Sequence, residues 1–365
     1  MSHNQFSSPI PDPETRPLVS VRIITYNQKE YIAKALDSVL SQEAAFSFEI
    51  CIGEDGSDDG TAEICEEYAA KYPEIIRLFH RDRQDPGRNK YRLPRMHNFV
   101  ETLRACRGKY IALLDGDDYW TDPLKLQKQV DFLEMNPEFI LSCCQVKYVD
   151  ENNEVTTEAS GVLHDFTAQD FVKTNPVRTG SMLFRSNPEV ISDFSLPAIM
   201  NVYIGDWPLS LLLLKHGPGH QHEEVMVAYR LHAESTWSSK PYSHTGSRIA
   251  ATLHCLALSK VFDVSLSEKL FDSGTHYLMR ACDTIEPDLW REFVSDLYTP
   301  CDIDFYPIYK LMELQVGLRK AYVDCEKYKS EKEEYRTSMS YKVGRKLLWP
   351  YRQLQKWMSL FTKAN

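Results

Sequence analysis

The chain predicts an α/β fold built on a mostly parallel sheet, and three observations carry that prediction. Short apolar runs alternate with helix-patterned segments from residue 18 to about 150. The connections are short and are punctuated by turn and cap residues. Polar, chemistry-bearing residues stand directly behind three of the apolar runs, where an open parallel sheet puts its ligand crevice.

Each element has its own signal. Residues 18–26 (LVSVRIITY) read as a strand, and Lys29 to Gln42 carries Ile32, Ala35, Leu36, Val39 and Leu40 at helical spacing. Phe48 to Gly53 is a second strand. Asp55-Gly56-Ser57-Asp58-Asp59-Gly60-Thr61 is a turn-and-cap cluster before a helix over Ala62–Tyr72. Ile75–His80 is a third strand, Met96–Cys106 a third helix, and Tyr110–Leu114 a fourth, buried strand. Beyond these, Phe139–Val149 is strand-like and an apolar helix begins near Asp206. Residues 245–300 have a helical pattern, and 305–335 read as a charged helix.

The fourth strand runs straight into Asp115-Gly116-Asp117-Asp118. If the chain stays extended, Asp115 and Asp117 share a face. Hard oxygen ligands so placed suit a divalent cation that keeps positions open for phosphate. The competing reading is a helix start, since Asp122-Pro123 follows and carboxylates favour that dipole.

Composition narrows the function. The chain has 365 residues, 43% hydrophobic and 12% aromatic, and a formal net charge of −10, so it is globular and not a general nucleic-acid binder. Its nine cysteines contain no C-x-x-C pair, a pattern that fits reduced thiols in the cytoplasm. Residues 1–17 lack the order of a signal peptide, and no run reaches the roughly 18–20 apolar residues of a membrane span.

Taken together, Val19-Ser20-Val21-Arg22-Ile23-Ile24-Thr25-Tyr26-Asn27, Gly53-Glu54-Asp55-Gly56-Ser57-Asp58-Asp59-Gly60-Thr61 and Leu113-Leu114-Asp115-Gly116-Asp117-Asp118 resemble family 2 glycosyltransferases in order and spacing. The resemblance covers residues 18 to about 150 and thins toward 240. It implies a GT-A fold, a nucleotide-diphosphate sugar donor, a divalent metal (Mn2+ or Mg2+), and inversion at the anomeric carbon. It also implies a division of the chain into a flexible N-terminus (1–17) and a catalytic domain (18–240), with donor binding in 18–120 and the acceptor part in 121–240. A helical extension (241–335) and a basic amphipathic tail (336–365) would follow.

By the same resemblance Thr25 and Tyr26 line the nucleoside pocket and Asp55 hydrogen-bonds the base. Asp117 and Asp118 correspond to the family's acidic pair, Asp118 for metal and Asp117 for ribose or metal, with Asp115 either a ligand or a neighbour. Glu54 departs from the Asp many members carry there, and Asp58 and Asp59 suit capping of the next helix. Arg88 and Arg95, in a basic stretch from Arg83 to Arg95, are candidates to clamp the diphosphate. Asp206, in Ile204-Gly205-Asp206-Trp207, matches the catalytic carboxylate, its competing role being a helix cap. Trp207 either floors the acceptor sugar or packs, and Gly180, in Thr179-Gly180-Ser181-Met182, borders the acceptor. His232, in Tyr229-Arg230-Leu231-His232-Ala233-Glu234-Ser235, completes the metal or diphosphate site. His216, His220 and His222 lie around a Gly-Pro-Gly turn with no cysteine nearby, which argues against zinc.

From Thr337 to Asn365 there is no acidic residue, while Lys342, Arg345, Lys346, Arg352, Lys356 and Lys363 interleave with Trp349 and Trp357. Such a segment suits an anionic membrane surface or the protein's own acidic body. The expected partners are therefore a nucleotide-sugar, a UDP-sugar by family frequency, and a saccharide or lipid-linked acceptor at the inner membrane face, as in cell-surface polysaccharide synthesis. Two rivals stand beside this reading. A nucleotidyltransferase of sugar-nucleotide synthesis needs a glycine-rich basic loop that Thr25-Tyr26-Asn27-Gln28-Lys29 lacks. A non-catalytic nucleotide-sugar-binding scaffold would tolerate loss of Asp118 and Asp206.

Overall fold

The structure, a computed structural model, describes residues 16–85, 87–88, 94–157, 164–193, 205–232, 265–270 and 272–274. All belong to the first of the chain's two compact units, Met1–Gly274. The expected N-terminal segment up to residue 15, most of the extension expected over 241–335 and the tail expected over 336–365 lie outside the described residues.

β1 (Val19–Thr25), α1 (Lys29–Leu40), β2 (Phe48–Glu54), α2 (Thr61–Lys71), β3 (Ile76–His80), α3 (Pro94–Ala105) and β4 (Tyr110–Asp115) alternate as the pattern predicts. Their strands lie in the order β3-β2-β1-β4, every pair parallel. Then come β5 (Tyr119–Trp120), α4 (Lys125–Met135), β6 (Leu141–Val149), β7 (Val155–Thr157) and β8 (Asp165–Phe166). A 3-10 turn over Thr179–Ser181 leads into β9 (Leu183–Arg185), α5 (Pro188–Asp193), α6 (Asp206–Leu213) and β10 (Gly219–Arg230). β9 runs antiparallel between β4 and β6, and β10 returns parallel to β6. The sheet is mixed, yet most of its paired positions are parallel.

β1 is buried along nearly its whole length, as a strand covered on both faces must be. Val19, Val21 and Ile23 meet Ile32, Leu36 and Val39 of α1 in one core that also takes Ile50, Ile52, Leu126 and Val130. Burying each such side chain contributes about 1.5–3 kcal/mol. The alternate positions face α3 and are polar. Ser20 Oγ donates to Glu49 Oε1 at 2.6 Å, and Arg22 lies over the ring of Phe99, 4.2 Å from its centroid.

The helix starts are tied to the strand ends. Asp59 Oδ1 accepts from Thr61 N at 2.9 Å, capping α2, while its Oδ2 accepts from Lys29 N at 3.0 Å, capping α1. Gly60 can lead into α2 because its φ of +106° is open to glycine at little cost. Asp58 instead pairs with Asn27 in both directions, at 2.9 and 3.1 Å. Glu54 turns its carboxylate onto Gly56 N (3.1 Å) and Ser57 N (2.7 Å), so the longer side chain at this position braces the loop.

Candidate active site

The ends of β1, β2 and β4 converge as expected. Thr25 Oγ1 donates to Gln28 Oε1 at 2.8 Å, and both oxygens press on Gly116, where an added Cβ would lie 2.8 and 2.5 Å from them. Only a glycine admits that approach of the first motif to the third.

At the outer edge, Asp55 is 3% exposed and held by two arginines. Arg88 Nη2 donates to Asp55 Oδ1 at 2.6 Å, and Arg83 reaches Oδ2 at 3.4 Å and the backbone carbonyl at 2.7 Å. Arg83 also covers the ring of Tyr26, 3.4 Å from its centroid, and that ring is 39% exposed. Tyr26, Asp55 and Arg83 thus form one platform of an aromatic face, a carboxylate and a guanidinium. Arg88 is buried beneath it rather than extended into a phosphate cleft, and Arg95 is exposed on the first turn of α3. Lys90 and Arg92 lie outside the described residues. A cavity of about 560 Å³ opens nearby, lined by His80, Arg81, Asp82, Asp85, His97 and Glu101. None of the acidic-cluster residues lines it.

The acidic cluster is a turn, not an extended strand. Asp118 N donates to Asp115 O at 3.1 Å, which corrects the expectation that Asp115 and Asp117 share a face. Asp117 turns its Oδ2 to His232 Nε2 at 3.0 Å, and that imidazole leans against Tyr31 with ring centroids 5.2 Å apart. Asp118, 2% exposed, accepts from Arg230 N at 2.8 Å through Oδ1, while its Oδ2 is buried with no hydrogen-bond partner. Burial and the charges of Asp117 and Asp115 push the Asp118 carboxyl well above its usual range. The helix start proposed as a rival exists, but Asp122 serves it: its Oδ1 accepts from Leu124 N at 2.8 Å just ahead of α4.

Asp115 faces the other way. Its Oδ1 is buried without a hydrogen bond, 3.8 Å from Arg22 Nη2. Burial raises its carboxyl to about 7, with Arg22 and a hydrogen bond to Thr179 pulling down and Asp117 and Asp206 pushing up. Thr179 Oγ1 donates to Asp206 Oδ2 at 3.4 Å, and the same hydroxyl acts to lower the Asp115 carboxyl. Asn175 Nδ2 donates to the same Asp206 oxygen at 2.9 Å. The other, Oδ1, accepts from Trp207 N at 2.8 Å, so Asp206 braces the start of α6 with one oxygen and faces the cleft with the other. Burial raises its carboxyl despite the Trp207 N–H, the charge of Arg178 and the Thr179 hydroxyl.

The turn that carries Thr179 is itself held from below. Trp120 Nε1 donates to Gly180 O at 3.0 Å, and Gln129 Nε2 donates to Ser181 O at 2.9 Å. Gly180 borders the acid cluster, since a Cβ there would lie 3.8 Å from Asp118 Oδ2. Trp207 does not: it is 5% exposed, its indole N–H donates to Phe171 O at 2.8 Å, and it offers no face to an acceptor in this conformation. His220 pairs with Asp165 at 2.7 Å and stacks on Phe132, and His222 contacts Ser142 Oγ at 3.0 Å, both on β10 away from Arg230.

Comparison with known proteins decides the family. Residues 20–188 match glycosyl transferase family 2. An uncharacterized protein of Mycobacterium tuberculosis is 35% identical over 246 residues, which are 65% of this chain and 67% of that one. The chain belongs to glycosyl transferase family 2. An uncharacterized glycosyltransferase of Haemophilus influenzae is 26% identical over 250 residues, 65% of this chain and 72% of its own. The crystal structure of Staphylococcus aureus TarS 1-349 superposes with a TM-score of 0.50 at 16% identity, covering 71% of each chain, a likeness of fold.

Within this glycosyltransferase three residues were not singled out by the sequence reading. Arg230 holds the acidic turn through its backbone N–H on Asp118 and through Nε on Asp117 O at 2.8 Å, and its guanidinium lies 4.5 Å from the Tyr31 centroid. It stood only inside a quoted motif. Thr179 carries no signal beyond small size. Arg22 does: a charge in the middle of a buried apolar run asks for a partner. Among the described residues no helix is long and apolar enough to cross a membrane. Nor does any group of three or more His, Cys, Asp or Glu among them close around a cation by itself.

Proposed function

We propose that the protein is a metal-dependent inverting glycosyltransferase that moves a sugar from a nucleotide-diphosphate donor to a hydroxyl of a saccharide or lipid-linked saccharide. The observation that carries the reading is the turn Thr179–Ser181, which donates to the candidate base Asp206 through Thr179 Oγ1 at 3.4 Å and borders Asp118 at Gly180. A base and a donor site on one cleft are what direct displacement needs, because the acceptor proton must leave as the new bond forms.

The unpartnered, buried Oδ2 of Asp118 fits a divalent cation, with Asp117 and His232 beside it. When bound, the cation neutralises charge on the departing diphosphate. Asp117, Asp118 and His232 would hold it. Asp206 Oδ2 takes the acceptor proton, oriented by Asn175 and Thr179. Tyr26 offers a stacking face and Asp55 and Arg83 offer an acceptor and donors to the nucleoside, with Thr25 behind them. Arg95 is the remaining donor-side cation, Arg88 serves by holding Asp55, and Gly180 borders the acidic turn on the acceptor side.

UDP is the proposed nucleotide, supported by the TarS 1-349 structure in complex with UDP, a likeness of TM-score 0.50 at 13% identity. A role in cell-surface polysaccharide synthesis has the support of a chondroitin synthase of Escherichia coli, 24% identical over 220 residues, 60% of this chain and 30% of that one. The basic segment 336–365 supports an acceptor presented at an anionic membrane surface. The test is a panel of nucleotide sugars assayed by mass spectrometry with manganese or magnesium and again with EDTA. Turnover of one donor that EDTA abolishes is expected, and Asp118→Asn is expected to lose metal-dependent donor binding. No binding or turnover of any donor sinks the reading.

A further inference from the structure

Arg22 is a buried charge that the mechanism above leaves unused. It sits in the middle of β1 with 0% exposure, and none of its three guanidinium nitrogens has a hydrogen-bond partner. The anion beside it is Asp115 Oδ1, at 3.8 Å, itself buried without a hydrogen bond. The guanidinium lies 4.2 Å from the ring centroid of Phe99 on α3. That ring in turn presses on Gly205, where an added Cβ would come within 2.8 Å of it, and Gly205 immediately precedes Asp206. Arg22 therefore stands behind Asp115, and Phe99 behind the residue that leads into Asp206.

Packing alone does not account for an arginine here. Sealing a guanidinium from water with its donors unspent is costly, and an apolar side chain of similar length would fill the space without that cost. The cleft gives the charge a purpose. The Thr179 hydroxyl proton is spent on Asp206 Oδ2, at 3.4 Å, and the Asp115 oxygen that faces Arg22 has no donor. Asp115 also meets the like charge of Asp206. A fixed positive charge behind the pair offsets that repulsion without occupying the space in front, where an acceptor must enter.

We propose that Arg22 is a positioning residue for glycosyl transfer: its unshared charge holds the Asp115 and Asp206 carboxylates together on the acceptor side of the cleft while it touches no substrate. The inference rests on the reading of Asp206 as the base.

Arg22→Met and Arg22→Lys, with the wild type, separate charge from shape. Nucleoside diphosphate release is followed with Mn2+ and a panel of UDP-, GDP- and dTDP-sugars, water serving as acceptor, alongside thermal unfolding of each protein. Arg22→Met is expected to unfold at a higher temperature than the wild type while its kcat falls about tenfold or more. Its KM for the donor is expected to stay within about threefold. Arg22→Lys, which keeps the charge, is expected to retain more kcat than Arg22→Met although it packs less well. Two results overturn the inference: an Arg22→Met enzyme with wild-type kcat, or one that is less stable and loses kcat and KM together, which is the signature of a packing role. A wild type without turnover on any donor overturns both the inference and the function it rests on, whereas an active wild type with an unimpaired Arg22→Met overturns the inference alone.

Discussion

Two carboxylates on the α3 side of the sheet, Glu49 buried whole and Asp115 with one buried oxygen, each lie beside an arginine and are treated in opposite ways. Glu49, near the start of β2, is 3% exposed and saturated. It takes Ser20 Oγ at 2.6 Å, Arg107 N, Nε and Nη2 at 3.0, 3.0 and 2.6 Å, and Arg77 Nη1 at 3.1 Å. Burial alone would raise its carboxyl, but the hydrogen bonds from Arg107 and Ser20 and the charge of Arg77 bring it below its ordinary value. Asp115, at the other end of the neighbouring strands, has Arg22 at 3.8 Å and an inner oxygen with no hydrogen bond, and burial raises it to about 7. A saturated buried charge is architecture, whereas an unsaturated one is retained against a stability cost and marks where chemistry is done.

The largest test of that contrast is Asp206→Asn. It removes the proton acceptor while leaving the helix start intact, so kcat is expected to fall by about 10²–10⁴, with UDP affinity in the presence of manganese unchanged. Wild-type level turnover would break the assignment. The same residue sets the pH response. A base works deprotonated, and burial raises the Asp206 carboxyl, so the acid limb of kcat/KM is expected above the ordinary aspartate range, activity falling as pH drops through it.

Glu49→Ala should do the reverse, lowering stability with no change in activity per folded molecule. Arg107 and Arg77 keep 38% and 33% exposure and recover some hydration, so the loss is expected near the lower end for a broken buried pair, about 2–3 kcal/mol by urea unfolding. The sign of its pH dependence follows from its lowered folded value. The stabilisation is complete above the unfolded carboxylate pKa of 4.5 and is lost as pH falls through the folded value. Wild type and variant should therefore converge in acid, and a difference that persists there would mean packing, not charge.

Much of this was legible in the sequence because a strand buried on both faces writes a continuous apolar run, and β1, β2 and β4 do so. The polar segments behind them had to converge once the strands were parallel neighbours. What was not legible depends on local turns and distant partners. The extended reading of Asp115 and Asp117 failed because Asp118 N closes a turn on Asp115 O. Arg88 was read as a phosphate clamp, yet Asp55, 33 residues earlier in the chain, draws it into the interior. β5 and β9 are too short to announce themselves by periodicity. Thr179 gains its meaning only from two carboxylates supplied by β4 and α6.

Asp59 gives the site a mechanical property. Because one side chain caps α1 with one oxygen and α2 with the other, it fastens together the loops that carry Tyr26 and Asp55, as the Asn27–Asp58 pair and the bond from Gln28 N to Thr61 Oγ1 also do. Joined at several points, the two loops form one structural unit rather than two.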